Sequence, residues 1–194
     1  MNFLAHIYLS GNNDDVILGN FIADSIKGKK YLAYPPEVQK GILLHRAIDS
    51  YTDSHPLVKK SSAKLHKNYS HYSGVIVDIY YDHFLASRWQ DYSEIPLENF
   101  VATFYKLLKR KFDLLPAPIQ RFLPYMISEN WLLSYASIEG IARILYQMNI
   151  RTKNIVQMDR AVNDLKEHYD DFYNEFQEFF PQLQEYSQKK ISSL

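Results

Sequence analysis

The sequence contains no cysteine, which excludes disulfides, thiolate chemistry and cysteine-held zinc. Any metal bound by the chain must therefore be held by histidine and carboxylate. Glycine (6) and proline (8) are few for a β-rich protein of 194 residues, and no Asn-Gly or Asp-Gly hairpin signal occurs. Neither sign of charge is in excess, since 22 Lys plus Arg balance 22 Asp plus Glu. A nucleic-acid binder usually carries a basic surplus, so no nucleic-acid partner is expected. No apolar run reaches the length of a membrane span. The opening residues Met1 to His6 lack the basic start and long apolar stretch of a signal peptide. No membrane partner is expected, and the cytoplasm is the expected location. There is no glycine-rich phosphate loop and no Gly-x-Ser-x-Gly elbow, and no serine stands out as a nucleophile.

What is present is apolar and aromatic. Hydrophobic residues make up 46% of the chain and aromatic residues 15%, enough for an ordinary buried core. They recur at helical spacing almost throughout. The expected fold is all-α, a single-domain helical bundle over residues 1–194. A short helix from Asn2 to Ser10 ends at Gly11-Asn12-Asn13. Asp14 is expected to cap a second helix that runs to about Lys27 and closes at Gly28. Pro35-Pro36 opens a third, to about Asp53. Further helices are expected to about Asn68, from Ser73 to Gln90, from Ile95-Pro96 to Phe112, around Ile119 to Tyr135, and from Ser137 to Gln147. A long amphipathic helix is expected from Asn154 to Phe179, with a short tail after Pro181.

Chemistry-bearing residues gather in the first half of the chain. His45 and Asp49 stand four apart on the third helix, on a face shared with Val38, Ile42 and Thr52. A histidine and an aspartate on an inward stripe are costly unless they pair or bind a metal. Asp78 and Asp82 stand four apart on the fifth helix, on the face of Val75, Leu85 and Trp89. Two stacked carboxylates on a buried stripe repel and lose hydration, which a divalent cation or a basic partner would relieve. Salt bridges to Arg46 or Arg88 are the other reading. Asp24, within helical reach of Asn20, lies among apolar neighbours, as does His6 between Ala5 and Ile7. His83 follows Asp82 directly. His66, His71 and His168 sit among polar residues and read as surface histidines. Imidazole plus carboxylate donors suit Mn, Fe or Zn, and several carboxylates favour Mn or Mg.

The segments Met1-Asn2-Phe3-Leu4-Ala5-His6, Gly19-Asn20-Phe21-Ile22-Ala23-Asp24 and Gly41-Ile42-Leu43-Leu44-His45-Arg46-Ala47-Ile48-Asp49 resemble the acyl carrier protein phosphodiesterases. So do Thr52-Asp53-Ser54-His55-Pro56 and Asp78-Ile79-Tyr80-Tyr81-Asp82-His83-Phe84-Leu85 with Trp89. The likeness is specific over roughly the first half of the chain and fades after about Trp131-Leu132. The resemblance implies a divergent HD-like phosphohydrolase fold and a divalent metal, with Mn preferred. It also implies hydrolysis of the linkage between 4′-phosphopantetheine and a carrier-protein serine. Carried over by position, Asp24, His45 and Asp78 are implied as ligands, with Asp49 and His6 completing the metal set. Asp82, His83 and Arg46 are the expected catalytic residues, and Lys27, Arg46 and Asn20 the expected substrate contacts. The chain departs from the wider HD pattern in its reversed Asp82-His83 pair and its lack of any His-Asp dipeptide.

A carrier protein is acidic and helical, so basic residues near the site would recognise it. Lys27, Lys29 and Lys30 follow Asp24, and Lys59, Lys60, Lys64 and Lys67 form one face of the fourth helix. A solvated helix face accounts for such a run equally well. Two other functions stay open at this level. One is a phosphohydrolase acting on a nucleotide or small ester with the same metal cup. The other is a non-catalytic helical protein that buries a polar network.

Overall fold

Side-chain caps start the first two helices of the protein, seen in a computed structural model that describes residues 1–194. Asn2 Oδ1 accepts from the Phe3 amide at 2.9 Å where α1 (Phe3–Tyr8) begins. Asn13, rather than the expected Asp14, caps α2 (Asp14–Ile22): its Oδ1 accepts from the amides of Asp15 at 2.9 Å and Val16 at 3.3 Å. An extended Asn reaches the free N–H groups of the first turn. Asp14 and Asp15 lie inside that turn, facing the positive end of the helix.

α2 stops at Ile22, short of the expected Lys27, so Asp24 lies in a 3-10 turn (Ala23–Ser25) rather than on the helix. The cause sits on the next helix. Arg46 donates to the carbonyls of Ile26 at 2.9 Å and Gly28 at 2.8 Å, which draws the chain off the helix axis. Gly28, at φ 57°, starts a further 3-10 stretch (Gly28–Ala33) instead of closing α2.

Pro36 opens α3 (Pro36–Ser54), and Pro56 opens α4 (Pro56–Tyr69). Then follow α5 (Ser73–Ser87), α6 (Leu97–Arg110), α7 (Ala117–Ser128), α8 (Trp131–Ser134), α9 (Ile138–Arg151), α10 (Ala161–Glu167) and α11 (Tyr169–Ser193). No strand forms, in agreement with the all-α expectation. The C-terminal region differs from the sequence reading. Asn154 adopts a left-handed φ of 58° in the turn after α9, and the expected long helix is divided at His168. α11 continues through Pro181, where a tail was expected. The proline forfeits a helix bond, but Phe179, Phe180, Leu183 and Ser187 on either side of it are buried. Packing of that face outweighs the local loss.

A single cluster of 49 buried apolar residues joins the helices. α5 runs through it: Ile76, Tyr80, Tyr81, Phe84 and Leu85 are fully enclosed. Tyr81 and Phe84 meet Phe176 of α11 with ring centroids 5.4 and 5.7 Å apart. The buried Glu175 of α11 is satisfied by the Ser61 hydroxyl and by Lys64 and Lys60, at 2.8 and 3.2 Å.

α2 and α3 approach so closely that only glycine fits at the crossing. A methyl group on Gly19 would lie 2.1 Å from the Val38 carbonyl oxygen, and one on Gly41 would lie 2.2 Å from that of Val16. This crossing sets the spacing between Asn20 on one helix and His45 on the other. Gly41→Ala should therefore destabilise the protein by about 2–3 kcal/mol through overpacking, a Tm drop of roughly 4–12 °C for a chain of this size. Gly74→Ala, where nothing lies within 4 Å, should leave Tm unchanged or raise it. Thermal melts followed by circular dichroism compare the two; equal behaviour would contradict the packing.

Candidate functional site

Three successive segments bring polar side chains to one point. α1 supplies His6, α2 supplies Asn20, and the turn after it supplies Asp24. α3 supplies His45 and, one turn on, Asp49. The two imidazoles stack with centroids 4.0 Å apart and planes at 20°. Both are buried, while the Asp49 and Asp24 side chains are 41% and 73% exposed. The site thus has an imidazole floor and a carboxylate rim.

Asn20, fully buried, fixes both rings. Its Nδ2 donates to the His6 carbonyl at 3.0 Å and to Ser10 Oγ at 2.8 Å. Ser10 Oγ spends its own proton on the same carbonyl, at 2.7 Å. The amide oxygen is thereby turned toward the rings, where it accepts from His6 Nδ1 at 2.8 Å and His45 Nδ1 at 3.1 Å. Both Nδ1 atoms carry hydrogen, which leaves both Nε2 atoms directed at the rim. His45 Nε2 lies 3.1 Å from Asp24 Oδ1 and 3.1 Å from Asp49 Oδ2. His6 Nε2 lies 3.1 Å from Asp49 Oδ1 but is a buried atom without an aligned hydrogen-bond partner.

The electrostatics separate the two rings. Burial opposes charge on His45, but the hydrogen bonds to Asp24 and Asp49 outweigh it and hold its pKa up to about 9. Burial pushes His6 down, and the neighbouring charge of His45 adds to this against the pull of Asp49. Stacked at this distance, the rings do not both ionise. His45 draws Asp24 below the usual carboxylate range. Burial works to raise Asp49, yet the hydrogen bond from the His45 imidazolium holds it well below that range. A neutral His6 with hydrogen on Nδ1 therefore presents a bare Nε2 lone pair to an ionised Asp49 oxygen. Two electron-rich atoms in buried contact call for a cation between them. Ligand atoms of His6, His45 and Asp49 all lie within 4.8 Å of one another. A divalent ion fits this donor set, and the Asn20 bonds are the outer support that such histidines use.

Other residues expected at the site are engaged elsewhere. Asn20 is too deep to contact substrate and acts on the histidines instead. Asp82 lies apart from the cup: fully buried, it accepts from the amides of Asn2 at 3.2 Å, Leu4 at 2.7 Å and Ala5 at 3.3 Å. It satisfies free N–H groups at the start of α1 and so anchors the helix that carries His6. Burial pushes its carboxyl up to about 7. Asp78 pairs with the Met1 α-ammonium at 2.8 Å rather than joining the imidazoles. His83 donates from Nδ1 to the Tyr135 carbonyl at 2.7 Å and meets the Tyr169 hydroxyl at 3.1 Å. Arg46 donates from Nη2 to the Ile26 and Gly28 carbonyls, and its guanidinium lies over the Tyr31 ring. It pairs with neither Asp49 nor Glu37. Lys27 is exposed beside Asp24. Sequence reasoning missed Ser10, whose only signal is its place one turn after His6.

Comparison with known proteins agrees with the early motifs. The family described as acyl carrier protein phosphodiesterase matches residues 1–183. A protein of that name from Yersinia pestis is 33% identical over 191 residues, covering 98% of this chain and 99% of its own. One from Pectobacterium atrosepticum is 32% identical over 184 residues, covering 94% and 95%. One from Enterobacter sp. is 34% identical over 187 residues, covering 94% and 95%. No solved structure matches the chain.

Nitrogen-detected NMR of the metal-free protein should show His6 as the neutral Nδ1–H form at pH 7 and His45 as imidazolium, titrating near pH 9. Because the His45 pKa is raised from 6.5, its pairs stabilise the metal-free fold fully below that pH. Their contribution is lost as pH rises through about 9. A neutral His45 at pH 7 would contradict this electrostatic arrangement.

Proposed function

Since the chain belongs to the acyl carrier protein phosphodiesterase family, we propose that it hydrolyses the phosphodiester between 4′-phosphopantetheine and a carrier-protein serine, with a divalent cation held by His6, His45 and Asp49 and flanked by Asp24. The observation that carries this reading is the pair of stacked, buried imidazoles whose Nε2 atoms one amide has turned toward two carboxylates. Two imidazoles with carboxylates favour Mn over the harder, oxygen-preferring Mg. We also read the cup as HD-like, because histidine and aspartate side chains from consecutive helices meet at one point. The adjacent Asp82-His83 pair plays no part in it.

When bound, such an ion supplies Lewis acidity toward a phosphoryl oxygen and toward water. The chain supplies the rest. Asn20 holds the imidazoles in one tautomer, so their donor atoms are set before any ligand arrives. Arg46 ties down the loop after α2 and so fixes Asp24 and Lys27 at the rim. Lys27 is exposed and without an ion pair, so its ammonium is free to meet a phosphate oxygen. In the overall reaction the bond between phosphorus and the serine oxygen breaks. Water gives its oxygen to phosphorus and a proton to the serine.

An acidic carrier would dock on Lys27, Lys29 and Lys30, which are exposed and free of ion pairs around the Gly28–Ala33 stretch. The α4 face is less suited, because Lys60 and Lys64 are already paired with Glu175.

Purified protein with Mn should convert holo-carrier to apo-carrier, seen as a loss of mass. A chelator should stop the conversion and added Mn restore it, while His45→Ala should reduce it at least about a hundredfold. Unchanged turnover by His45→Ala would remove the cup from the chemistry. Cleavage of nucleotide esters but not of holo-carrier would assign a different substrate. Separately, Lys29→Glu combined with Lys30→Glu should raise KM for holo-carrier roughly tenfold, more steeply at low salt. An unaffected KM would place docking elsewhere.

A further inference from the structure

A cavity of about 460 Å³ shares Asp24 with the imidazole cup. Asp24, whose Oδ1 meets His45 Nε2, forms part of its wall, so the slot begins where the cup ends. This volume lies within the range of about 300–1,000 Å³ usual for small-molecule pockets. Its lining is aromatic: Phe3, Phe21, Phe122 and Trp131, joined by Ile119 of α7. Phe122 and Trp131 stack with centroids 5.7 Å apart and planes at 14°, and Phe3 and Phe21 sit 5.6 Å apart.

Two polar features break this apolar surface. The indole nitrogen of Trp131 is buried and has no acceptor. Indole N–H groups buried in proteins usually find a partner, and among the side chains lining the slot this is the one buried donor left without an acceptor. Arg151, the last residue of α9, also lines the slot, is exposed and makes no ion pair. It offsets the negative charge that Asp24 brings.

We infer that this slot receives the carrier's prosthetic arm, with the Trp131 indole donating to an amide carbonyl of the arm while its methylenes lie against Phe3, Phe21, Ile119 and Phe122. The inference rests on the proposed function and extends it from the phosphorus centre to the group attached there. The chemistry that fits is a slim, linear chain with amide carbonyls along it and a phosphate at the end nearest Asp24. A flat nucleobase fits less well, because Phe122 already covers a face of the indole that a base would need.

The test is calorimetric binding of 4′-phosphopantetheine to the intact protein, together with KM for holo-carrier. Trp131→Phe keeps the ring and deletes only the donor. It should weaken 4′-phosphopantetheine binding roughly fivefold and raise KM to match. Ile119→Trp fills the slot and should weaken both at least about tenfold, with an unchanged melting curve confirming its fold. Inorganic phosphate, which has no arm, should bind wild type and both variants alike. If the two variants bind 4′-phosphopantetheine as wild type does, the slot does not hold the arm. Tighter binding of adenosine monophosphate than of 4′-phosphopantetheine, lost in Ile119→Trp, would overturn the inference in favour of a nucleotide. Binding is measured without turnover. Failure of wild type to cleave holo-carrier would therefore sink the proposed reaction without deciding what occupies the slot.

Discussion

One side-chain amide decides what two imidazoles can do. Asn20 spends both its N–H groups on oxygen atoms of Ser10 and His6, so only its carbonyl oxygen is left to face the rings. That oxygen takes a hydrogen from each Nδ1, and each Nε2 is turned outward. Every property of the site follows from this constraint. The rings stack, one of them stays neutral, and a bare nitrogen faces an ionised carboxylate. An aspartate at position 20 would offer a charge where the amide offers a direction.

The fold around this amide serves to keep it in register. Glycine at positions 19 and 41 lets α2 and α3 touch backbone to backbone, so Asn20 reaches His45 with a short side chain. Asp82 on α5 binds the first amides of α1 and fixes the depth at which His6 enters. Arg46 ends α2 by capturing the Ile26 and Gly28 carbonyls, which brings Asp24 back over His45. Each of these residues is charged or absent of a side chain, and each acts through backbone rather than through a ligand. The aromatic packing of α5 against α11 then holds the base on which all of this stands.

Much of this was legible in the sequence. Helical spacing and sparse glycine pointed to the all-α class, and Pro36 marked the start of α3. The i, i+4 spacing of His45 and Asp49 put them on one face, and the structure brings them together with His6 and Asp24. What failed were partners distant in the chain. Asp78 and Asp82 share an inward stripe as expected, but periodicity cannot say that α1 amides and an α-ammonium satisfy them. Asn20 reads as a substrate contact until Ser10 and two rings are seen around it. Arg46 looks like a phosphate clamp because nothing local reveals two carbonyls from a loop eighteen and twenty residues earlier. Pro181 failed for a different reason: local propensity favours a break there, and the buried residues on both sides override it.

The proposed reaction needs a cation between the two Nε2 atoms and Asp49, where the donor atoms converge. Anomalous diffraction from crystals grown with Mn tests it most directly. A strong peak within bonding reach of His6 Nε2, His45 Nε2 and an Asp49 oxygen, with both Nδ1 atoms still on Asn20, is the predicted result. A peak centred instead on Asp78 and Asp82, or rings flipped so that Nδ1 faces the ion, would contradict it.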